Sequence, residues 1–485
     1  MTKPKLLANL PIENLTKEYD YLGVIDKGDL IKAFLVGNKE QLNEIKMFTL
    51  YGEWGSGKSS LMKYLEKELK SDFNTFFFEA WEFEKDTNLA MSLLQFINTK
   101  NIETGEQFCD DLIKYGSRIL RGLGKSVKLN IYNIELDPSS FVEELTKKEE
   151  LSFYEALNAF KLEFVRFEDK ITLNNKPKFN IVFIDDLDRC EPEQVLNLLS
   201  SIKLFFTYGQ KTIFFCGIDK KAVNQAVKTK YGKVVKSNEY LEKIFDISFS
   251  MPEYDNLLNL INHYFDDTIY KFGVNTYGIN VRINEFFREL EFTNPRRVKK
   301  VLNKFQYLRN LKEIDLQMKF MPFPNIDMKD GVQQSFFETT LILYLIILHE
   351  FYEDYYRDFL DFEKKKNIYL NLITTDTEKK NVINLIERNF SCLNFEDYPE
   401  KIKHLKHKQV DFMNVFLICF GPTETKNVSF NHFNENSIFL FDKKNKIEHL
   451  YYKFLSTKSQ QILLEDKNLS KCNLKRLKKL IKNAL

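Results

Sequence analysis

The stretch that decides the fold of this chain is Gly52-Glu53-Trp54-Gly55-Ser56-Gly57-Lys58-Ser59. It fits the pattern GxxxxGK(S/T), a glycine-rich loop that wraps the phosphates of a nucleotide. Glycine is scarce in the chain as a whole, with 17 in 485 residues, against a usual share of roughly 7%. Three glycines nevertheless fall within six positions of this loop, which indicates that they serve its backbone geometry.

The segments on either side predict a strand, the loop and a helix, in that order. Residues 45–51 are a short, mostly apolar run that is typical of a buried strand, and residues 59–69 place apolar side chains at helical spacing. Such a loop points its N–H groups and the positive end of the helix dipole at phosphate oxygens. The flanking pattern disfavours the alternative, an ordinary glycine-rich turn before a helix. We therefore expect ATP to be held by Gly52, Glu53, Trp54, Gly55, Ser56, Gly57, Lys58, Ser59 and Ser60.

Two side chains of the loop have individual roles in this prediction. Lys58 is expected to be an exposed cation that reaches the β and γ phosphates and takes part in catalysis. The hydroxyl of Ser59 is expected to bind Mg²⁺, which prefers oxygen ligands and keeps several waters.

An apolar strand that ends in acidic residues supplies the second half of the predicted site. Residues 180–189 read Asn-Ile-Val-Phe-Ile-Asp-Asp-Leu-Asp-Arg, a Walker B pattern. Asp185 is expected to hold Mg²⁺, and Asp186 to orient or deprotonate the attacking water. Adjacent ionised carboxylates repel each other unless a cation is present, which favours a metal site over a purely structural role. Asp188 either shares the role of base or caps the helix that follows.

With these motifs, the chain resembles the KAP family of P-loop NTPases, in the AAA-like and STAND-like branch. The resemblance covers most of about the first 310 residues and also rests on Asp20-Tyr21-Leu22-Gly23, Glu79-Ala80-Trp81 and Asn294-Pro295-Arg296-Arg297. It implies an ATP-hydrolysing or ATP-switched domain that often acts in antiviral defence or on mobile elements. Family members commonly carry paired transmembrane helices between the two Walker motifs. The insertion in this chain, at about residues 100–178, contains no long apolar run.

Strands are predicted at residues 45–51, 74–81, 180–185, 211–216 and 245–249, with helical segments between them. This alternation predicts an α/β fold whose mainly parallel sheet is covered by helices on both faces. The family resemblance implies the strand order 5-1-4-3-2. We expect a P-loop NTPase core at residues 1–250, a helical lid at 251–320 and a helix-rich C-terminal domain at 330–485.

Two arginines and one aspartate are further candidates for the site. By resemblance, Arg296 lies at a sensor-like position of the lid and reaches the γ phosphate, while the alternative is solvated helix charge. Arg189 either contacts the γ phosphate of a neighbouring subunit or forms an intramolecular salt bridge with Asp186 or Asp188. Asp219, just past a predicted strand, either occupies a sensor position or caps the following helix.

Composition indicates an intracellular protein without a strong preference for nucleic acid. The 71 basic and 69 acidic residues give a formal net charge of +2, so no global field marks a nucleic-acid binder. The apolar residues 341–348 are fewer than the roughly 18 to 20 that span a bilayer and predict a core helix. No signal-peptide core follows the N-terminus, so we expect a cytoplasmic location and no transmembrane segment.

The function that these observations favour is a Mg²⁺-dependent ATPase that works as a conformational or assembly switch, with self-association. The alternative is an adaptor that binds nucleotide, hydrolyses it slowly or not at all, and recruits a partner through residues 330–485. The basic segment at residues 471–482 predicts a helix for a protein partner, with nucleic acid or an anionic membrane surface as alternatives. A P-loop kinase is disfavoured, because such enzymes usually lack an acid pair followed by Leu-Asp-Arg.

Overall fold

The computed structural model describes residues 6–86, 88–102, 112, 115–116, 153–174, 177–232, 237–254, 257–265, 269–272, 275–314, 332–359, 446–447, 450–451 and 454. The chain divides into two units, which we call the sheet unit, Leu10–Glu253, and the helical unit, which joins Met1–Asn9 to Tyr254–Leu485. The basic segment at residues 471–482 lies outside the described residues. The predicted boundaries of core, lid and C-terminal domain stay predictions.

The sheet unit is built on a parallel sheet. Among the described residues, its strands are β1 (Met47–Tyr51), β2 (Asn74–Glu79), β3 (Asn180–Asp185), β4 (Thr212–Ile218) and β5 (Ile247–Ser250). Their order across the sheet is β2-β3-β4-β1-β5, with every neighbouring pair parallel. This order, read from the other edge, is the predicted 5-1-4-3-2, and the predicted α/β fold is confirmed.

The burial of the central strands indicates that both faces of the sheet are covered. β3 and β4 are buried along their whole length, as expected for strands with helices above and below. The edge strands β2 and β5 are only partly buried. In register, Glu79 pairs with Asp185 and Ile184 with Cys216, so these strands end at about the same level. The carboxyl edge of such a sheet is where ligands of open α/β folds bind.

Helices pack on the two faces of this sheet. They are α1 (Ile25–Gly37), α2 (Lys58–Glu68), α3 (Leu89–Ile102), α4 (Phe153–Asn174), α5 (Pro192–Leu204), α6 (Lys220–Tyr231) and α7 (Ser237–Ile244). On one face, α2 lies against β2, β3 and β4. On the other, side chains of α3 to α7 form a single buried cluster with the strands. Within it, the ring of Phe164 from α4 stacks on Phe206, so part of the predicted insertion belongs to the core.

The helical unit contains a hairpin as well as helices. Its described elements are α8 (Leu258–Asn262), β6 (Ile269–Phe272), β7 (Asn275–Gly278), α9 (Ile279–Glu289), α10 (Pro295–Ile314), α11 (Val332–Phe351) and α12 (Glu353–Phe359). The antiparallel hairpin β6–β7 interrupts the helical pattern predicted for this region, since two four-residue strands leave too short a periodic signal. Residues 341–348 are buried within α11, as predicted. In the part of the chain that the structure describes, none of the helices combines the length and apolar character that crossing a bilayer requires.

Candidate functional site

The loop between β1 and α2 is shaped by its glycines. Gly55 and Gly57 have φ angles of 83° and 95°, in the left-handed region that other residues rarely adopt. Gly52 is constrained by space, because a Cβ atom there would lie 2.5 Å from Ser56 Oγ and 2.7 Å from Met251 Cγ. Gly57 is also the N-cap residue of α2. The loop therefore ends at a helix N-terminus, where unpaired N–H groups favour an anion.

Lys58, the first residue of α2, points back into the loop. Its Nζ donates hydrogen bonds to the backbone oxygens of Gly52 (2.7 Å) and Glu53 (3.1 Å). The residue is only 6% exposed, so the expectation of an exposed cation is wrong. The loop backbone closes around the ammonium group, which makes Lys58 part of the loop's own structure as well as a source of positive charge.

The hydroxyl of Ser59 lies close enough to the carboxylate of Asp185 to stabilise its ionised form, so the start of α2 lies beside the end of β3. Asp185 is 3% exposed. Burial raises the pKa of its carboxyl group, and the neighbouring Ser59 hydroxyl, the backbone of Asp186 and the charge of Lys58 oppose that rise. The two predicted halves of the site therefore lie next to each other.

This pair of oxygen ligands fits Mg²⁺. A divalent cation would offset the cost of keeping the buried Asp185 carboxylate ionised, and the Ser59 hydroxyl is a second hard ligand beside it. Among the described residues, no group of three His, Cys, Asp or Glu side chains is arranged to hold a metal ion. Mg²⁺ at this position would thus depend on nucleotide and water for its other ligands, as is usual for this ion.

Asp186, directly after β3, has an unusual backbone conformation. Its φ of 56° and ψ of 27° lie in the left-handed region, and such strain in a residue other than glycine is concentrated at functional sites. Burial, followed by the charge of Asp185, raises the pKa of its carboxyl group to about 6. A carboxyl group perturbed in this way at the end of a central strand is a candidate for a functional role.

Arg189 is held within its own chain. Its Nε lies 3.1 Å from Asp186 Oδ1, and its guanidinium carbon lies 5.1 Å from the centre of the Trp81 ring. Trp81 belongs to the short 3-10 helix that follows β2. The structure thus contains the intramolecular salt bridge to Asp186, one of the two alternatives for Arg189. The sequence did not predict the contact with Trp81, although Glu-Ala-Trp at the end of β2, the neighbour of β3, was an available signal.

Comparison with known proteins identifies the domain that carries this site. Residues 38–312 match the KAP family P-loop domain. The chain belongs to the KAP family of P-loop NTPases. Membership supports nucleotide binding and hydrolysis as the general activity of the domain.

Two uncharacterized proteins of Methanocaldococcus jannaschii are similar to this KAP chain. MJ0181 is 35% identical over 131 residues, which are 26% of this chain and 48% of MJ0181. MJ0182 is 34% identical over 176 residues, which are 29% of this chain and 88% of MJ0182. The chain therefore spans about half the length of MJ0181 and most of MJ0182.

The structure limits the roles that two further candidate residues of the KAP site, Asp188 and Ser60, can have. Asp188 does not cap α5, whose N-cap residue is Glu191, and its charge is among those that raise the pKa of Asp186, after burial and Asp185. The hydroxyl of Ser60 accepts a hydrogen bond from the backbone N–H of Ile12 at 3.0 Å. Ser60 thus fastens the segment before α1 to the loop helix.

Asp219 links the KAP phosphate loop to the end of β4. Its Oδ1 accepts a hydrogen bond from the backbone N–H of Lys221 (2.9 Å), as an N-cap of α6. Its Oδ2 accepts one from the backbone N–H of Trp54 (3.0 Å). Lys221 also forms an exposed ion pair with Glu53. The capping alternative for Asp219 is therefore realised, together with a contact that the sequence did not predict.

Glu79 is a charged neighbour of the site that the sequence motifs did not assign to catalysis. It is the last residue of β2 and pairs in register with Asp185. Its carboxylate lies 3.2 Å from Lys63 Nζ, and its charge is also one of the smaller contributions to the raised pKa of Asp186, after burial and Asp185. Its position at the end of the strand next to β3 was the signal in the sequence.

Arg296 lies in the helical unit, near the start of α10. Its Nη2 donates a hydrogen bond to the backbone oxygen of Asn9 at 3.0 Å. Further along the same helix, Asn303 accepts from the N–H of Leu7 (3.0 Å) and donates to its carbonyl (2.8 Å). One face of α10 thus binds the backbone of the N-terminal segment. The expected contact of Arg296 with a γ phosphate stays a prediction.

Proposed function

We propose that this KAP domain is a Mg²⁺-dependent ATPase that uses ATP binding and hydrolysis as a conformational or assembly switch, in antiviral defence or a mobile-element system. The closeness of the Ser59 hydroxyl to the Asp185 carboxylate carries the proposal, because it places the phosphate loop beside the acidic strand end. Phosphoryl transfer in P-loop NTPases needs both at one site. The biological setting is taken from the family resemblance.

Binding and catalysis are assigned to different groups in this proposal. The N–H groups of the loop and Lys58 bind the phosphates. Ser59 and Asp185 would hold Mg²⁺, which would supply positive charge to offset that of the phosphates. Asp186, one residue beyond the metal ligand and outside the strand, orients the attacking water and accepts its proton.

The ion pair between Arg189 and Asp186 favours a second candidate function, the slowly hydrolysing adaptor. A carboxylate that is paired with a guanidinium is a weaker proton acceptor, and its oxygen is less free to position water. In this alternative the chain binds ATP stably and recruits a protein partner through residues 330–485. Displacement of Arg189 from Asp186 would then be the event that permits turnover.

Steady-state phosphate release separates these two functions. The ATPase predicts sustained release that stops when EDTA removes Mg²⁺ and resumes when Mg²⁺ is restored. The adaptor predicts stoichiometric ATP binding with no sustained release. The assay is run with and without DNA, RNA or the product of a neighbouring gene, because a trigger should raise the rate. Failure of the protein to bind ATP in an equilibrium titration would contradict both candidates.

A mixing experiment tests whether Arg189 acts within its chain or on a neighbouring subunit. An arginine supplied in trans accelerates phosphoryl transfer by roughly 10³ to 10⁵. Because Arg189 is paired with Asp186 at 3.1 Å, we expect an intramolecular role. If Arg189→Ala protein loses phosphate release, adding Lys58→Ala protein, whose arginine is intact, should therefore not restore it.

The matched control for Arg189 is Arg166→Ala, which removes another arginine that forms an ion pair three residues away, with Glu163. This variant should keep the wild-type rate. Restored release in the mixture, or a wild-type rate per subunit that rises with protein concentration, would establish the trans role instead.

A further inference from the structure

The carboxylate of Asp219 is shared between two elements of the sheet unit. One oxygen caps α6 through the N–H of Lys221, and the other accepts the N–H of Trp54. Capping a helix requires only one acceptor oxygen. The second hydrogen bond crosses 165 positions of sequence and reaches the third residue of the phosphate loop. Asp219 therefore has a structural connection to the loop that helix capping does not explain.

The two residues before Trp54 also form hydrogen bonds through their backbone. The N–H of Gly52 donates to the carbonyl of Ile218 at 3.1 Å, which extends the pairing of β1 with β4 by one residue. The carbonyls of Gly52 and Glu53 both accept from Lys58 Nζ. Together with the hydrogen bond from Trp54 to Asp219, these contacts give each of residues 52–54 a hydrogen bond through its backbone. We call these residues the first half of the loop. In the second half of the loop, the N–H of Ser56 donates to the carbonyl of Glu53 at 3.1 Å, and we assign phosphate binding to the N–H groups at the start of α2.

We propose that Asp219 is a positioning residue of the phosphate loop: it fixes the Trp54 N–H, and so keeps the second half of the loop in the shape that binds phosphate. This inference rests on the ATPase function proposed above. It assigns Asp219 no contact with the γ phosphate. A carboxylate close to a triphosphate is repelled by it, and both oxygens of Asp219 already accept hydrogen bonds from the protein.

Asp219→Ala should weaken nucleotide binding without slowing the chemical step. We expect the Kd for Mg-ATP to rise about 10-fold to 100-fold, because a hydrogen bond to a charged group is lost and the loop must be ordered on binding. The kcat at saturating ATP should stay within about twofold of wild type, the pattern of a lost binding contribution. Asp219→Asn keeps one acceptor oxygen and should give a smaller loss of affinity.

Hydrogen exchange provides a second readout that requires no nucleotide. In Asp219→Ala, the N–H of Trp54 should exchange at least about tenfold faster than in wild type, since its acceptor is gone. If wild-type protein did not bind ATP, the proposed function would fail, and exchange at Trp54 would still test the attachment.

The matched control is Asn88→Ala. Asn88 accepts hydrogen bonds from Ala90 (2.9 Å) and Met91 (3.1 Å) at the start of α3, so its loss removes a helix cap in the same unit but leaves the loop intact. Its ATP affinity should equal that of wild type. A fall in kcat with unchanged affinity in Asp219→Ala would identify a sensor and overturn the proposal. Unchanged exchange at Trp54, or an equal loss of affinity in Asn88→Ala, would also overturn it.

Discussion

Replacing Lys58 with alanine should weaken the binding of Mg-ATP by at least about 100-fold, because hydrogen bonds to charged groups contribute about 1.5–3 kcal/mol each and Lys58 makes several. It is expected to bind the phosphates, and it also closes the loop through the carbonyls of Gly52 and Glu53. Equilibrium titration with a fluorescent ATP analogue measures the effect.

Because Lys58 is buried, its loss should affect the stability of the protein as well as nucleotide binding, which the loss of an exposed cation would not do. Its removal should also lower the free energy of unfolding of the nucleotide-free protein by about 1–2 kcal/mol, which denaturant unfolding measures. Lys67→Ala, an exposed lysine of the same helix, is the matched control and should change neither quantity. Wild-type affinity in Lys58→Ala would exclude a phosphate role for this side chain.

Asp186→Asn should hold ATP and fail to hydrolyse it. Asparagine has the same shape and tolerates the left-handed backbone at this position, so loop and metal ligands should remain in place. The substitution removes the carboxylate that accepts the proton of water, and loss of a general base costs about 10²-fold to 10⁴-fold in rate. Parallel measurements of ATP affinity and phosphate release establish whether only turnover falls.

The neighbouring acid supplies the control for Asp186. Asp188→Asn makes the same chemical change two residues away, in a side chain that does not cap α5, and should retain most of the turnover. If Asp188→Asn lost turnover and Asp186→Asn kept it, the base would be Asp188. If both variants kept full turnover, Glu79 at the end of β2 would be the next carboxylate to test by Glu79→Gln.

Much of the fold could be predicted because its signals are local. β3 and β4 are continuous apolar runs, and the structure places them within two residues of the predicted limits. The turn into α2 is specified by glycines that adopt positive φ angles. Local sequence patterns do not specify the order of the strands in the sheet. That order was predicted from the resemblance to the KAP family. The hairpin β6–β7 was missed, since its strands have four residues each.

The sequence by itself determined which segments become the strands of the parallel sheet, where the phosphate loop lies, and which acids follow the apolar run of β3. Only the tertiary structure decided the partners of these residues: Asp219 with Trp54, Arg189 with Trp81, and Lys58 with the carbonyls of its own loop. The physical reason is that periodicity and turn chemistry act over a few residues. Contacts across the sheet depend on which strands are neighbours and where each one ends.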